Sequence, residues 1–218
     1  MKAVPVVVVL AAGAGTRFTG HPHKLTQPFA NSTVLGTTLA QVKAAGMPLV
    51  VVTTPPLQDT LTLWVAREDV VVVPEAPRLR AGAPSPLGMG YSIAAGVRAR
   101  GDAPGWMVLP GDMPLVQPGT LRAVVEGLTH HPIAYAQYRG RRGHPVAFAA
   151  ELFSELATLT GDVGARRIVA RYPSLAVDVH DPGVLMDLDT EDDLQRLREM
   201  EPGRPHSPPQ PEGRATPA

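Results

Sequence analysis

The feature that most constrains the fold is an alternation of short β-branched runs with helical segments of about ten residues. The runs Val4–Leu10, Leu49–Thr53 and Val70–Val73 are apolar apart from the terminal Thr53, as expected for strands that are buried on both faces. Helical spacing lies between them, at Thr33–Ala45 and Leu57–Ala66. This alternation predicts βαβ units, and therefore a single α/β domain with a mostly parallel sheet between helices.

The second half of the chain continues the alternation less regularly. A Gly/Arg turn separates Ile133–Tyr138 from Pro145–Phe148, which predicts a hairpin. The other predicted elements are helices near Tyr91–Arg100, Pro118–Leu128, Ala150–Leu159, Val163–Tyr172 and Glu191–Met200, and strands at Trp106–Leu109, Leu175–Val179 and Val184–Leu188. We predict one domain over residues 1–200 and a disordered tail over 201–218, where six of eighteen residues are Pro.

Composition excludes several classes of protein. The 218 residues include no Cys, which rules out disulfides, thiolate metal sites and a Cys nucleophile. Twenty basic residues balance twenty acidic ones, so we expect neither a dedicated nucleic-acid binder nor a binder of anionic membranes. No apolar run reaches the roughly 18–20 residues that a membrane-spanning helix needs, and we expect a cytoplasmic protein.

A Gly-rich loop follows the first predicted strand. It reads Leu10-Ala-Ala-Gly-Ala-Gly-Thr-Arg17, and Lys24, one of only three Lys in the chain, lies seven residues beyond it. Open α/β sheets bind ligands at the carboxyl ends of their strands, and small residues there let backbone N–H groups form an anion-binding nest. With the charges of Arg17 and Lys24 the segment suits a triphosphate. The simpler alternative is a Gly-rich turn with a solvated Arg and Lys.

Two better-known phosphate loops do not fit this segment. A dinucleotide fingerprint needs a third Gly where this chain has Phe18, and an acidic residue after the second strand, which here runs into Thr53-Thr-Pro-Pro56. A P-loop needs Gly-Lys-Ser/Thr, whereas Gly20 is followed by His21 and Lys24 by Leu25.

Acidic residues follow two of the predicted strands. Asp112, within Pro110-Gly-Asp-Met-Pro114, comes directly after the strand that ends at Leu109 and faces the same sheet edge as the Gly-rich loop. A carboxylate there is suited to hold Mg²⁺, although it could simply stabilise a tight turn. Asp187 and Asp189 lie two residues apart and can face one side, so either could be a second ligand. Thr190 is predicted to cap the last helix.

A basic turn, Gly140-Arg-Arg-Gly-His-Pro145, lies between the two strands of the predicted hairpin. Arg141, Arg142 and His144 could bind an anionic acceptor substrate there. The alternative is an ordinary solvated surface turn.

Taken in order, these motifs resemble a known family. They are Leu10-Ala-Ala-Gly-x-Gly-x-Arg17 with the following Lys24, Gly88-Met-Gly-x-Ser-Ile-Ala-Ala-Gly96, Gly111-Asp-Met-Pro114, Gly143-His-Pro145, Gly161-Asp-Val-Gly-Ala-Arg166 and Asp187-Leu-Asp-Thr-x-Asp-Asp193. The chain is similar, over roughly residues 4–197, to the molybdenum cofactor cytidylyltransferases, which belong to the nucleotidyltransferases that modify molybdopterin.

The resemblance implies a Rossmann-like α/β fold, similar to that of the nucleotide-diphospho-sugar transferases. It also implies a Mg²⁺-dependent enzyme that transfers CMP from CTP to the terminal phosphate of molybdopterin and releases pyrophosphate. It implies catalytic roles for Lys24, Arg17 and Asp112, and metal binding by Asp112 with Asp187 or Asp189. The ligand-binding residues that it implies are Leu10, Ala11, Ala12, Gly13, Gly15, Gly88, Gly90, Ser92, Gly111, Arg142, Gly143 and His144. A recipient molybdoenzyme or its chaperone is the implied partner.

Alternatives remain open at this point. Ala12 stands where guanylyltransferase relatives tend to carry Gly, which favours CTP over GTP. GTP, another phosphorylated acceptor, or a non-catalytic nucleotide-binding module for cofactor delivery are the competing hypotheses. Three departures from the family pattern affect the loop geometry and the acceptor: the extra length of 18–23, Gln27, and the extended segment 80–87.

Overall fold

The computed structural model describes residues 4–13, 15, 17–18, 23–75 and 87–200. Its strands are β1 (Val6–Ala11), β2 (Pro28–Phe29), β3 (Ser32–Thr33), β4 (Leu49–Thr53), β5 (Val70–Val72), β6 (Gly105–Pro110), β7 (Ile133–Tyr138), β8 (Arg141–Ala149) and β9 (Ser174–Asp178). Its α-helices are α1 (Val34–Ala44), α2 (Pro55–Leu61), α3 (Met89–Ala99), α4 (Pro118–Gly127), α5 (Phe153–Ala157), α6 (Arg166–Arg171) and α7 (Glu191–Glu199). Short 3-10 helices cover Lys24–Thr26, Arg67–Asp69, Ala150–Leu152 and Pro182–Leu185.

Seven strands form one mostly parallel sheet in the order β5-β4-β1-β6-β8-β7-β9. Strand β1 runs parallel to β4 and β6, whereas β8 runs antiparallel to both of its neighbours, β6 and β7. Val108 of β6 pairs with Val146 of β8, so the beginning of β8 lies beside the end of β6. Strand β8 begins at Arg141 rather than at Pro145, so residues 141–144 are not a turn as predicted but the first residues of the strand, and the turn is confined to Arg139 and Gly140. The pairing of β8 with β6 brings residues 141–144 to the sheet edge at which β1 and β6 end.

Helices cover both faces of the sheet, as the uninterrupted apolar strands predict. Val7 and Val9 pack into the core beneath α1, α4 and α7, while Val6 and Val8 pack into the core beneath α3, α5 and α6. Alternate residues of β1 therefore serve opposite cores, which is why this strand needs an apolar residue at every position. Within the described residues, no helix is long and apolar enough to cross a membrane.

The predicted strand at Val184–Leu188 is wrong, because a 3-10 helix occupies Pro182–Leu185 instead. Asp181 begins that helix by accepting a hydrogen bond from the backbone N–H of Gly183 at 3.0 Å. Gly183 also packs against the backbone of Leu115, where a Cβ would lie 2.6 Å from the carbonyl oxygen. The cap formed by Asp181 and the close backbone contact of Gly183 therefore favour a 3-10 helix over the strand that the apolar run predicts.

Other differences concern boundaries and small elements. The β2–β3 hairpin was not predicted, and the predicted loop at 12–25 ends in a 3-10 helix that begins at Lys24. Helix α2 ends at Leu61 rather than Ala66, and α6 begins at Arg166 rather than Val163. The predicted tail at 201–218 and most of the predicted loop at 74–90 lie outside the described residues.

Asp181 provides a direct test of this part of the fold. Its buried carboxylate accepts hydrogen bonds from Gln117 N at 2.8 Å and from Thr120 Oγ1 at 2.6 Å, besides the bond from Gly183 N. We expect Asp181→Ala to lower the free energy of unfolding by about 2–4 kcal/mol, because three donors lose their acceptor. Urea denaturation measures this loss. The exposed Asp178 accepts one bond, from Gln137, and Asp178→Ala is the control, with an expected loss of roughly 0.5 kcal/mol or less.

Candidate active site

A cleft of about 660 Å³ opens at the sheet edge where β1 and β6 end. Three groups of predicted residues meet there although they are far apart in sequence: the Gly-rich loop, the acidic residues and the basic turn. Those that line the cleft are Leu10, Ala12, Gly13, Gly15, Arg17, Lys24, Gly88, Ser92, Asp112, Arg141, Arg142, Gly143, His144, Asp187 and Asp189.

Lys24 is the buried cation of the cleft, with 8% of its surface exposed. Its Nζ donates to Asp112 Oδ2 at 2.6 Å and to the Leu188 carbonyl at 2.7 Å, and lies 3.4 Å from Asp189 Oδ1. The backbone of Gly15, at φ +59°, packs against the aliphatic part of the Lys24 side chain. A Cβ at residue 15 would lie 3.5 Å from Lys24 Cγ. A buried ammonium requires such pairing, since an unpaired charge is costly to bury.

Asp189 also pairs with Arg17, the charged residue at the end of the Gly-rich loop. Arg17 Nη1 lies 2.8 Å from Asp189 Oδ2, and the Arg17 side chain is 74% exposed. Asp189 is held from the other side by the capped start of α7, where Thr190 and Asp193 form a reciprocal capping box as predicted for Thr190. The first loop and the last helix are therefore joined across the cleft.

Asp112 has one oxygen engaged and one left over. Its Oδ2 binds Lys24, but its Oδ1 is buried and accepts no hydrogen bond from the described residues. Burial raises the pKa of the Asp112 carboxyl, Lys24 opposes that rise, and nearby Asp187 adds to it. An unsatisfied buried carboxylate oxygen is costly, and a bound cation would satisfy it.

The acidic set fits a magnesium-type site that is completed by ligand or water oxygens. Among the described residues, no three His, Asp or Glu side chains converge closely enough to hold a metal by themselves. Mg²⁺ is commonly held by one or two carboxylates, substrate phosphates and water. Asp112 with Asp189 or the more exposed Asp187 meets that requirement.

The opposite wall of the cleft is basic. The guanidinium of Arg142 lies over the ring of Tyr135, 4.6 Å from its centroid. Gly143 is needed beside it, because a Cβ there would collide with the Val184 carbonyl. Burial, and then the charge of Arg142, lower the pKa of His144 to about 4, with Asp187 opposing the shift. His144 is therefore uncharged at neutral pH.

The pKa of His144 predicts how stability depends on pH. An unfolded His binds a proton near pH 6.5, whereas His144 in the folded protein stays neutral down to about pH 4. The unfolded state thus binds more protons between these values, and the free energy of unfolding falls as the pH is lowered through that window. We expect His144→Gln to flatten the fall, measured by urea denaturation at several pH values. An unchanged slope would contradict the shift.

Three predicted site residues do not line the cleft. Ala11 is buried in β1, where it faces the core. Gly90, in the first turn of α3, packs on the backbone of Thr160, and its N–H donates to Gly161 O at 2.8 Å. Gly111 donates to Leu10 O at 2.8 Å, which joins the two strand ends that carry the loop and Asp112. These residues shape the site from behind its surface.

Several cleft residues carried no assigned role in the sequence. Leu87, Met89, Asp162 and Arg166 also line the cleft. Asp162 and Arg166 lie within the Gly161–Arg166 motif, but nothing in that motif predicts that it lines the cleft. Close packing of Gly88 against Asp162 brings the two segments together.

Comparison with known proteins identifies the family of the chain. Residues 7–176 match the model of the MobA-like NTP transferase domain. The chain belongs to this family. Membership places it among the nucleotidyltransferases and leaves its nucleotide and acceptor to be argued from the site.

Solved structures share the fold over nearly the whole chain. Rv0371c from Mycobacterium tuberculosis H37Rv is 32% identical, with a TM-score of 0.74 over 90% of this chain and 98% of that one. A second structure of Rv0371c is a complex with manganese. A nucleotidyl transferase from Methanothermobacter thermautotroptrophicus is 26% identical, with a TM-score of 0.70 over 90% of this chain and 96% of that one.

A curated relative matches over a shorter stretch. The bifunctional protein GlmU of Rhizorhabdus wittichii is 31% identical over 122 residues, which is 56% of this chain. The match covers only 25% of GlmU, so the chain spans about a quarter of that relative's length.

Proposed function

We propose that the protein is a cytidylyltransferase that transfers CMP from CTP to the terminal phosphate of molybdopterin and releases pyrophosphate. The observation that carries the proposal is that one cleft has two charged walls: Lys24 with Asp112 and Asp189 beneath the Gly-rich loop, and Arg142 with His144 opposite. A two-substrate reaction between two anions needs such an arrangement, because each anion requires its own cationic partners. The product would pass to a molybdoenzyme or its chaperone.

The nucleotide side is the wall formed by the Gly-rich loop. Gly13 and Gly15 bring backbone to the cleft surface, and Arg17 stands at its rim. Ala12 in place of Gly is the residue that favours CTP through the family resemblance. The Nζ of Lys24 already donates to three acceptors, and its contact with Asp189, at 3.4 Å, is the longest of the three. That contact is the one most easily exchanged for a phosphate oxygen.

A divalent cation, Mg²⁺ in this proposal, would be held by Asp112 and Asp189 or Asp187. The free Oδ1 of Asp112 supports this assignment, and so does the manganese complex of the mycobacterial relative. When bound, the cation supplies positive charge that neutralises the triphosphate and orients it.

In the proposed reaction an oxygen of the acceptor phosphate attacks the α-phosphorus of CTP. A new P–O bond forms as the bond between the α-phosphorus and the bridging oxygen breaks, and pyrophosphate carries away the electron pair. Phosphate is already a nucleophile at pH 7, so neutral His144 is not required as a base. Catalysis comes from positioning and charge: Lys24 and Arg17 face the nucleotide, and Arg142 and His144 hold the acceptor.

The decisive experiment measures pyrophosphate release from CTP, GTP, ATP and UTP, with and without molybdopterin and Mg²⁺. The proposal expects release from CTP that depends on both molybdopterin and the metal. Release from GTP alone would contradict the assignment of CTP as the nucleotide. Release only with a different phosphorylated acceptor would contradict the assignment of molybdopterin as the acceptor, and no release from any pair of substrates would contradict an enzymatic role.

Substitutions at the start of β8 test the wall of the cleft that is proposed to bind the acceptor. We expect Arg142→Ala and His144→Ala to raise the KM for molybdopterin by roughly 5- to 150-fold, the equivalent of about 1–3 kcal/mol. The KM for CTP should change far less. Steady-state kinetics with each substrate varied in turn gives both values, and Arg139→Ala, in the same hairpin but not on the cleft, is the control. An effect on CTP alone would mean that the two walls are assigned in reverse.

A further inference from the structure

Arg166 reaches the cleft beside Arg142 from a distant part of the chain. Arg142 lies near the start of β8, and Arg166 is the first residue of α6. Burial lowers the pKa of both Arg142 and His144, and the charge of Arg166 adds to the lowering in both. Arg142 and Arg166 line the same cleft, as does the exposed Arg141, and the charge of Arg166 acts on Arg142.

Neither guanidinium is neutralised by the described residues. Asp162 and Asp187 line the same cleft, yet no carboxylate of the described chain lies within 4.0 Å of either group. Four other arginines do have such a partner, namely Arg17, Arg100, Arg171 and Arg196. Arg142 rests on the Tyr135 ring, a contact that fixes its plane while leaving its N–H donors for a ligand.

The two walls of the cleft thus differ in charge. On the nucleotide wall, Lys24 and Arg17 are balanced by Asp112 and Asp189. On the opposite wall the two like charges stand together without such a balance. Repulsion between like charges is relieved by a ligand that carries two negative charges.

We propose that Arg142 and Arg166 together form a subsite for a phosphate monoester dianion, and that Arg166 is a specificity residue for the doubly charged acceptor phosphate. The proposal rests on the proposed function, because it assigns this subsite to the acceptor rather than to the nucleotide. Paired, planar guanidinium groups bind phosphate oxygens through several charge-assisted hydrogen bonds, which a singly charged ligand uses less well.

The test measures binding of phenyl phosphate to the full chain by isothermal titration calorimetry, without nucleotide. We expect wild type to bind it, and to bind phenyl sulfate, a monoanion of the same shape, more weakly. Arg166→Gln and Arg142→Gln should each weaken phenyl phosphate binding by about 10-fold or more. The matched control is Arg167→Gln, an exposed neighbour off the cleft, which should stay within about twofold.

Three results would overturn the proposal: no binding of phenyl phosphate to wild type, wild-type binding by Arg166→Gln, or an equal loss in Arg17→Gln, which would place the probe on the nucleotide wall. The binding test also separates this inference from the proposed function. If phenyl phosphate binds as expected while CTP and molybdopterin yield no pyrophosphate, the anion subsite stands and the reaction is wrong. If turnover occurs and Arg166→Gln keeps both its phenyl phosphate affinity and its acceptor KM, the subsite alone is wrong.

Discussion

Asp112→Asn is expected to lower kcat by at least about 10²-fold while the protein stays folded. The substitution removes the charge that faces Lys24 and replaces one of the carboxylate oxygens with an NH₂ group, which cannot bind a metal. The shape of the side chain is kept, and Lys24 retains the Leu188 carbonyl and Asp189 as acceptors. The loss should therefore fall on the chemical step rather than on folding.

Pyrophosphate release at saturating CTP and Mg²⁺ measures this effect, and circular dichroism checks the fold. Asp178→Asn is the matched control, because Asp178 is exposed and lies at the end of β9, off the cleft. Wild-type turnover by Asp112→Asn at saturating Mg²⁺ would contradict the metal-binding role.

The part of the fold that was predictable depends on residues whose role is set locally. An apolar residue at every position of β1 is needed only by a strand covered on both faces, so Val6–Val9 specify a parallel sheet between helices without any tertiary information. The position of Asp112 at the ligand-binding edge of the sheet was predictable for a related reason. It follows a buried strand directly, and parallel strands bring their carboxyl ends to one edge.

What was not predictable depends on contacts between distant segments. The pairing of Lys24 with Asp112 joins residues 88 positions apart. Arg142 and Arg166 line the same cleft because α6 shares one apolar core with β7 and β8. The sequence predicts that Lys24 binds phosphate, whereas in the folded chain its ammonium pairs with two carboxylates, those of Asp112 and Asp189. The missed 3-10 helix at Pro182–Leu185 has the same origin, since Asp181 is fixed by Gln117 and Thr120 from another part of the chain.

Lys24→Ala should have the second large effect, a fall in kcat of about 10²- to 10³-fold, with a smaller change in the KM for CTP. The ammonium lies at the base of the cleft, held by Asp112, Asp189 and the Leu188 carbonyl, so it is already in place to meet charge that grows in the transition state. Without it the two carboxylates lose their shared cation, and Asp112, whose pKa burial already raises, loses the group that opposes that rise.

Lys24→Gln, which keeps a donor but not the charge, should lose nearly as much activity and shows whether charge or packing is responsible. Lys43→Ala, on the exposed side of α1, is the matched control. A raised KM for CTP with unchanged kcat would show that Lys24 binds the ground-state phosphates only, and wild-type kinetics in Lys24→Gln would show that its charge takes no part in the reaction.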